Sequence, residues 1–385
     1  MGSLTLALVL LVPVAFALGW FVAPKVGRRS VHVPIPRIYV QGLGHLLGER
    51  NDEAVKAFLD ALRQYPESSD LLLALGRLFR RRGELERALG VHQHLLEQQD
   101  LDVLQQQEVL LEIARDYLKA GILNRAESIL RDLLQRDPES RTARELLAEV
   151  YELGADWEQA IRVRQELQGQ GREGQTSIIA LLYCEMAEEK LHDNLAAAQA
   201  LLAEAERADA SSPRLALLRG RIAHRQGNWT AAAGHWSTLL RSDHVAILGQ
   251  VLDPFLESLQ NCGELPQCQA WREELLVRAS TAPLLSRLVL ALRRVEGEPA
   301  VIDFLRASLL RSSDLLTLQF YLRAGGDPLP VLPEMRQAVT ELPLSEGVFQ
   351  CHHCGYQTIE FYWRCPSCRH WGTFRSSGEK AACTH

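Results

Sequence analysis

Leu75-Gly76-Arg77-Leu78-Phe79-Arg80-Arg81-Arg82-Gly83-Glu84-Leu85-Glu86-Arg87-Ala88 carries a small residue, an aromatic three positions on, a glycine four beyond that and an alanine five further. The same order recurs along the chain. Ala114, Tyr117, Gly121 and Ala126 form one copy, followed by Pro138. Ala148, Tyr151 and Ala160 form another, Gly220, Gly227, Ala232 and Trp236 another, and Gly42, Ala54, Phe58, Ala61 and Pro66 an opening one; a weaker copy centres on Ala198. The alanines at 54, 88, 126, 160, 198 and 232 are separated by 34, 38, 34, 38 and 34 residues. A fixed period of this size marks a supersecondary unit that buries its apolar face only by stacking on its neighbours.

The period and residue order are those of the tetratricopeptide repeat, a pair of antiparallel helices. Small residues at Gly76, Ala114, Ala148 and Gly220 let the two helices of a hairpin approach, and the aromatics fill the space beside them. The four extra residues in alternate intervals fit either one helical turn or a longer loop. Six recognisable repeats are expected over 38–243. From 244 to 340 Leu-rich helical composition continues without the signature, enough for about three degenerate copies. The fold class expected is all-α, a tetratricopeptide superhelix with an N-terminal transmembrane helix and a small C-terminal metal domain.

Upstream, residues 1–24 carry no charged side chain, and Leu4 to Val22 is nearly all apolar. About 19 residues of helix span roughly 29 Å, enough for a bilayer. Pro13 is tolerated in a membrane helix. Lys25, Arg28, Arg29 and Arg37 follow in a basic juxtamembrane linker, 25–37, so the positive-inside rule puts the N-terminus in the periplasm and the bulk of the chain in the cytoplasm. Ala15-Phe16-Ala17 resembles a signal-peptide cleavage site, but a signal peptide has its basic segment before the apolar run, not after it.

Downstream, a hinge at 341–347 with Pro343 and Gly347 leads into a segment of different composition, 348–378, and a tail, 379–385. Cys351-His352-His353-Cys354-Gly355 and Cys365-Pro366-Ser367-Cys368 are two Cys-x-x-Cys knuckles, ten residues apart. Four thiolates at that spacing close a tetrahedron around one metal ion, and Gly355 supplies the turn of the first knuckle. The four cysteines satisfy the ion without His352 or His353. A closed site offers no open position for substrate, and so small a domain depends on its metal to fold. Spacing does not choose between iron and zinc. Tyr356, Tyr362, Trp363 and Trp371 are expected to pack around the site or face the repeats. Cys184, Cys262, Cys268 and Cys383 are read as thiols without chemistry.

The formal net charge of -6 argues against a general nucleic-acid binder. Between 38 and 340 there is no phosphate loop, nucleophile elbow or zinc-protease helix, so no catalytic residues are assigned. The expected binding surface is the first helix of each repeat. Arg77, Arg80 and Arg81 share one helical face, Arg115 and Lys119 a similar one, while Glu145, Glu149 and Glu152 make the fourth repeat acidic. Together they would run from basic to acidic and favour a charged peptide.

With the three parts in this order the chain resembles the lipopolysaccharide assembly protein B family of Gram-negative bacteria. The resemblance rests on the span and its basic flank, on Leu75 to Arg80, Arg115-Asp116-Tyr117, Tyr183-Cys184-Glu185, and above all on Tyr362-Trp363-Arg364-Cys365-Pro366-Ser367-Cys368. It departs from the family's pattern at Gly2 to Leu8 and Lys25 to Pro36. The resemblance implies a rubredoxin-like domain holding one iron ion on Cys351, Cys354, Cys365 and Cys368. It also implies an adaptor at the inner membrane, working with the membrane AAA+ metalloprotease that degrades the lipid A-committing deacetylase, and with other lipopolysaccharide synthesis or transport proteins. The competing expectations are a membrane-tethered rubredoxin-like electron carrier and a tethered zinc ribbon binding nucleic acid.

Overall fold

The computed structural model describes residues 51–376, apart from 66–67, 99–100, 172–173, 241–244, 264, 279–281, 312–314, 326–338 and 340–348. The apolar run Leu4 to Val22, the basic linker, Gly42, the hinge and the tail lie outside these residues. Among the described residues no helix is long and apolar enough to cross a membrane. The chain divides into two compact units, 1–122 and 123–385.

In the first unit, α1 (Asn51–Gln64), α2 (Ser69–Arg81), α3 (Leu85–Leu96) and α4 (Val103–Lys119) follow one another as antiparallel hairpins. Their apolar stripes meet in one core of Ala54, Phe58, Ala61, Leu71, Leu75, Leu78, Phe79 and Ala88. Spacings of three and four put these side chains on single helical faces. A Cβ at Gly76 would collide with the His92 imidazole, so glycine there is what admits the ring.

The second unit continues with α5 (Leu123–Arg136), α6 (Arg141–Leu153), α7 (Trp157–Gly169), α8 (Gln175–Lys190), α9 (Leu195–Ala208), α10 (Pro213–Arg225) and α11 (Trp229–Leu240). After a 3₁₀ turn at Val245–Gln250 come α12 (Leu252–Asn261), α13 (Pro266–Arg278), α14 (Ala282–Val295), α15 (Glu298–Arg311) and α16 (Leu315–Arg323). One apolar core runs from Leu217 through Trp236, Phe255 and Leu288 to Tyr321, and so joins the recognisable repeats to the helices after 244. Gly220 answers to Gly76: a Cβ there would strike the indole of Trp236, a fully buried ring whose Nε1 donates to the Leu217 carbonyl at 3.1 Å.

All six repeat alanines are fully buried. The extra four residues turn out to be helix: α4 has 17 residues and α8 has 16, against 13 in α2, α6 and α10. The hairpin turns of the second, third and sixth repeats close on a left-handed residue, Gly83, Gly121 and Gly227 with φ near +70 to +80°, and the next amide donates back to a carbonyl in the preceding helix, as Glu84 N does to Phe79 O at 2.9 Å. In the fourth repeat, where glycine is missing from the pattern, Ala155 takes this conformation at φ 55°, and Asp156 N still reaches Tyr151 O at 2.9 Å. The turn geometry persists at the usual steric cost of about 1 kcal/mol for a Cβ in this region.

The last element is a three-stranded antiparallel sheet, order β2-β1-β3, formed by β1 (Phe349–Cys351), β2 (Gln357–Thr358) and β3 (Phe374–Ser376). Gln350 pairs with Gln357 on one side and with Arg375 on the other. Phe349, Cys351, Cys365 and Phe374 make its small core.

Candidate metal centre and its seat on the helices

The two knuckles are built alike. The amide four residues after the first cysteine returns to that cysteine's carbonyl: Gly355 N to Cys351 O at 2.8 Å, and Arg369 N to Cys365 O at 2.8 Å. Both turning residues have positive φ, 76° and 63°. The first knuckle thus uses the expected Gly355, and the second forces Arg369 into the same conformation.

These turns bring one sulfur from each of Cys351, Cys354, Cys365 and Cys368 within 4.8 Å of all the others. Cys351 Sγ lies 3.6 Å from Cys368 Sγ, and Cys354 Sγ lies 3.7 Å from Cys365 Sγ. Four sulfurs at about 2.3 Å from a tetrahedral ion are about 3.8 Å apart, so the spacing fits such an ion.

The electrostatics fit too. Burial raises the Cys351 thiol, but Thr373, the amides of Cys354 and His353, and Cys368 outweigh it and bring the group down to about 6. Cys368 is pushed up to about 12 by burial and by the neighbouring sulfurs Cys354, Cys365 and Cys351. A cation at the centre compensates the crowded negative charge. These four residues would hold one iron or zinc ion, which supplies the cross-link for a sheet too small to fold on its core alone.

The ribbon's outer residues are seated on the helices of the same unit. Glu152, on α6, has a side chain only 1% exposed. It accepts from Arg164 at 2.6 Å and from Trp371 Nε1 at 2.9 Å, and Arg364 Nη2 stands 3.0 Å away as an ion pair. Arg369 reaches the neighbouring Glu149 at 3.1 Å. Arg214 of α10, held by Glu185 and Glu188, places its guanidinium 5.4 Å from the Trp363 ring. Burial pulls Arg364 below its ordinary value, with Glu152 and Glu149 opposing. Trp363 and Trp371 therefore face the repeats, while Tyr356 and Tyr362 pack on Phe374 beside the metal site, with ring centroids 6.3 and 6.0 Å from it.

Residues 349–376 match the family model described as a rubredoxin metal binding domain, and 39–100, 111–173 and 189–243 match the tetratricopeptide repeat. Lipopolysaccharide assembly protein B of Escherichia coli (strain K12) is 31% identical over 388 residues, covering 96% of this chain and 97% of that protein. The chain belongs to the lipopolysaccharide assembly protein B family. The member from Haemophilus influenzae is 25% identical over 392 residues, with the same coverage. Among solved structures, a tetratricopeptide repeat protein from Parabacteroides merdae covers 65% of this chain and 87% of its own, with 18% identity and a TM-score of 0.34.

In this member of the lipopolysaccharide assembly protein B family, the basic cluster of the first unit is built around an acid. Arg77 and Arg80 of α2 and Arg115 of α4 converge on Glu112, whose side chain is 2% exposed, at 2.8, 2.6 and 2.7 Å. Arg80 also pairs with Asp116 at 2.8 Å, and Asp116 meets the buried His92 at 2.5 Å. Burial raises Glu112, but Arg80, Arg115 and Arg77 outweigh it and hold the carboxyl below its usual 4.5. Arg81 and Lys119 are exposed. The acids Glu149 and Glu152, expected to greet a charged peptide, instead take the ribbon's own cations.

Sequence reasoning missed Arg164, Arg214, Arg364 and Arg369, whose partners are revealed only by tertiary packing. Cys184 is buried and its thiol is pushed up to about 12 by that burial, in keeping with a thiol that has no chemistry.

Proposed function

We propose that this chain is a single-pass, inner-membrane-anchored adaptor that regulates lipopolysaccharide biosynthesis without catalysing a reaction. One observation carries the reading: the ribbon's four thiolates are arranged to use every coordination position of one ion, while Arg364, Arg369, Trp363 and Trp371 are committed to the helices. Such a module holds proteins; it offers no site to a substrate. The names of the curated relatives supply the pathway, lipopolysaccharide assembly, and the repeats are a fold suited to protein partners.

The finer reading has the adaptor present the lipid A-committing deacetylase to the membrane AAA+ metalloprotease and gather other lipopolysaccharide synthesis or transport proteins. Leu4 to Val22 and its basic flank support an anchor that keeps the adaptor on the protease's membrane and raises the effective concentration of both. Arg77, Arg81, Arg115 and Lys119 keep exposed surface on α2 and α4 and would recruit an acidic partner segment, with Arg80 bracing them from beneath.

Depleting the protein and following the deacetylase tests this: the deacetylase should persist and lipopolysaccharide accumulate, and unchanged turnover would refute the adaptor role. A reporter active only in the periplasm, fused after residue 385, should stay silent if the chain is oriented as proposed.

A further inference from the structure

The cluster around Glu112 holds more guanidinium charge than its buried acids balance. Arg77 and Arg80 of α2 and Arg115 of α4 face two buried carboxylates, Glu112 and Asp116, whose side chains are 2% and 1% exposed. The positive charge left over is met by a third acid. Glu108, one turn before Glu112 on α4, accepts from Arg77 Nη2 at 2.7 Å, and its side chain is 48% exposed.

The three arginines are engaged differently. Arg80 turns inward: its Nη1 donates to Asp116 at 2.8 Å and to the Glu112 carbonyl at 3.3 Å, and its Nη2 to the Glu112 carboxylate at 2.6 Å. Arg77 and Arg115 instead share one oxygen, since Glu112 Oε1 accepts from Arg77 Nε at 2.9 Å and from Arg115 Nη1 at 2.7 Å. Their guanidiniums therefore lie side by side at the mouth of the cluster, with 43% and 34% of each side chain exposed. Among the described residues Arg77 Nη1 has no hydrogen-bond partner. Glu112 orients Arg77 through Nε and Nη2 whether or not Glu108 is in place. An exposed pair such as Arg77 with Glu108 holds weakly against water and salt, whereas removing the buried acid would strand the arginines around it. Of the acids in the cluster, Glu108 is the one an incoming carboxylate can displace.

We propose that Glu108 is an internal stand-in for the partner: it caps Arg77 in the unbound chain, and an aspartate or glutamate of an acidic partner segment replaces it, bridging Arg77 and Arg115. The inference rests on the reading of α2 and α4 as the surface that receives such a segment, and it adds the residue that tunes how tightly the segment is held. The planar forks of two neighbouring guanidiniums match a carboxylate better than a neutral side chain. A segment without acids has nothing to offer Arg77 in exchange for Glu108, so the same residue discriminates against it.

The test titrates the full chain in detergent with a hexa-aspartate peptide, followed by calorimetry at low ionic strength, where surface charges are least screened. E108Q should bind the peptide about three to five times tighter than the parent chain, the size of one exposed ion pair released, and added salt should erase the gain. E86Q removes an exposed acid of α3 and changes the net charge equally, and it should bind like the parent. R115Q should weaken binding in both the parent and the E108Q background. An E108Q chain that binds no tighter than the parent, or no tighter than E86Q, would overturn the proposal while the loss in R115Q upholds the surface. A peptide that binds none of the chains, or binds R115Q as well as the parent, would overturn the reading of the surface and the proposal with it. Matching thermal melts of E108Q and the parent show that a change in affinity is not a change in fold.

Discussion

Glu112 in the first unit and Glu152 in the second are both buried carboxylates on the first helix of a repeat, yet they recruit cations from very different distances along the chain. Glu112 is satisfied by Arg77, Arg80 and Arg115, all on its own helix or the preceding repeat. Glu152 takes Arg164 from the next helix, then Arg364 and Trp371 from the far end of the chain. A buried charge needs nearby compensation wherever it sits, because desolvation otherwise removes it. The first cluster is built into the stacking of two repeats and is complete when they are. The second is complete only when a metal-dependent module has folded and docked, so a repeat-level interaction has become a latch for a separate domain.

Metal removal should separate the two clusters most. Chelation is expected to cost the ribbon on the order of 10 kcal/mol of folding free energy, as in small structural metal domains. Amide exchange should rise to the unprotected limit over 349–376 while α2 and α4 keep their protection. Equal loss in both regions would mean that the clusters are not independent.

Glu152→Ala comes next. It leaves Arg164 and Arg364 poorly exposed and without their shared acid, at a cost of about 3–5 kcal/mol. The metal should stay bound, but the ribbon should become susceptible to protease and the emission of Trp363 and Trp371 should shift to the red.

Glu112→Gln removes the charge that Arg77, Arg80 and Arg115 share, for about 2 kcal/mol, read as faster exchange in α4. Its pH dependence has a definite sign. Because the folded carboxyl titrates below 4.5, its stabilisation is whole above that value and fades as pH falls through the lower folded pKa. Acid should therefore loosen α2 and α4 in the parent chain, and the variant should lack that component.

The smallest effect is a gain. Ala155→Gly relieves the left-handed Cβ at a turn whose equivalents at 83, 121 and 227 are already glycine, and should raise the stability of the α6 to α7 hairpin by about 1 kcal/mol, measured by denaturant midpoint.

Much of this architecture was legible in the sequence because its signals are local and repeated. The buried alanines at 88, 126, 160 and 232 each sit five residues after a left-handed turn residue, and each cysteine pair carries its own knuckle. Gly76 and Gly220 announced close helix approach, but not which rings would fill the gap, since His92 and Trp236 come from the facing helix. The extra residues of alternate repeats were ambiguous between helix and loop because length alone does not separate them. Ala155 was hidden for the opposite reason: the turn held its shape after losing the residue that normally marks it. The seat of the ribbon was legible only in part. Trp363 and Trp371 were expected either to pack around the metal site or to face the repeats, but the acids that take Arg364, Arg369 and Trp371 looked like an open binding face, since charge complementarity across some two hundred residues has no periodicity to betray it.

The longer first helices of the third and fifth repeats have a consequence for how such a chain grows or shrinks. Ala54, Ala126 and Ala198 are evenly spaced, and so are Ala88, Ala160 and Ala232, although neighbouring members of the combined series are not. The smallest interchangeable module is thus a doublet, one short and one long hairpin. Excising a single hairpin would set two of one kind side by side and put their ledges out of step, whereas adding or removing a doublet would leave every remaining seam between partners of the lengths it already has.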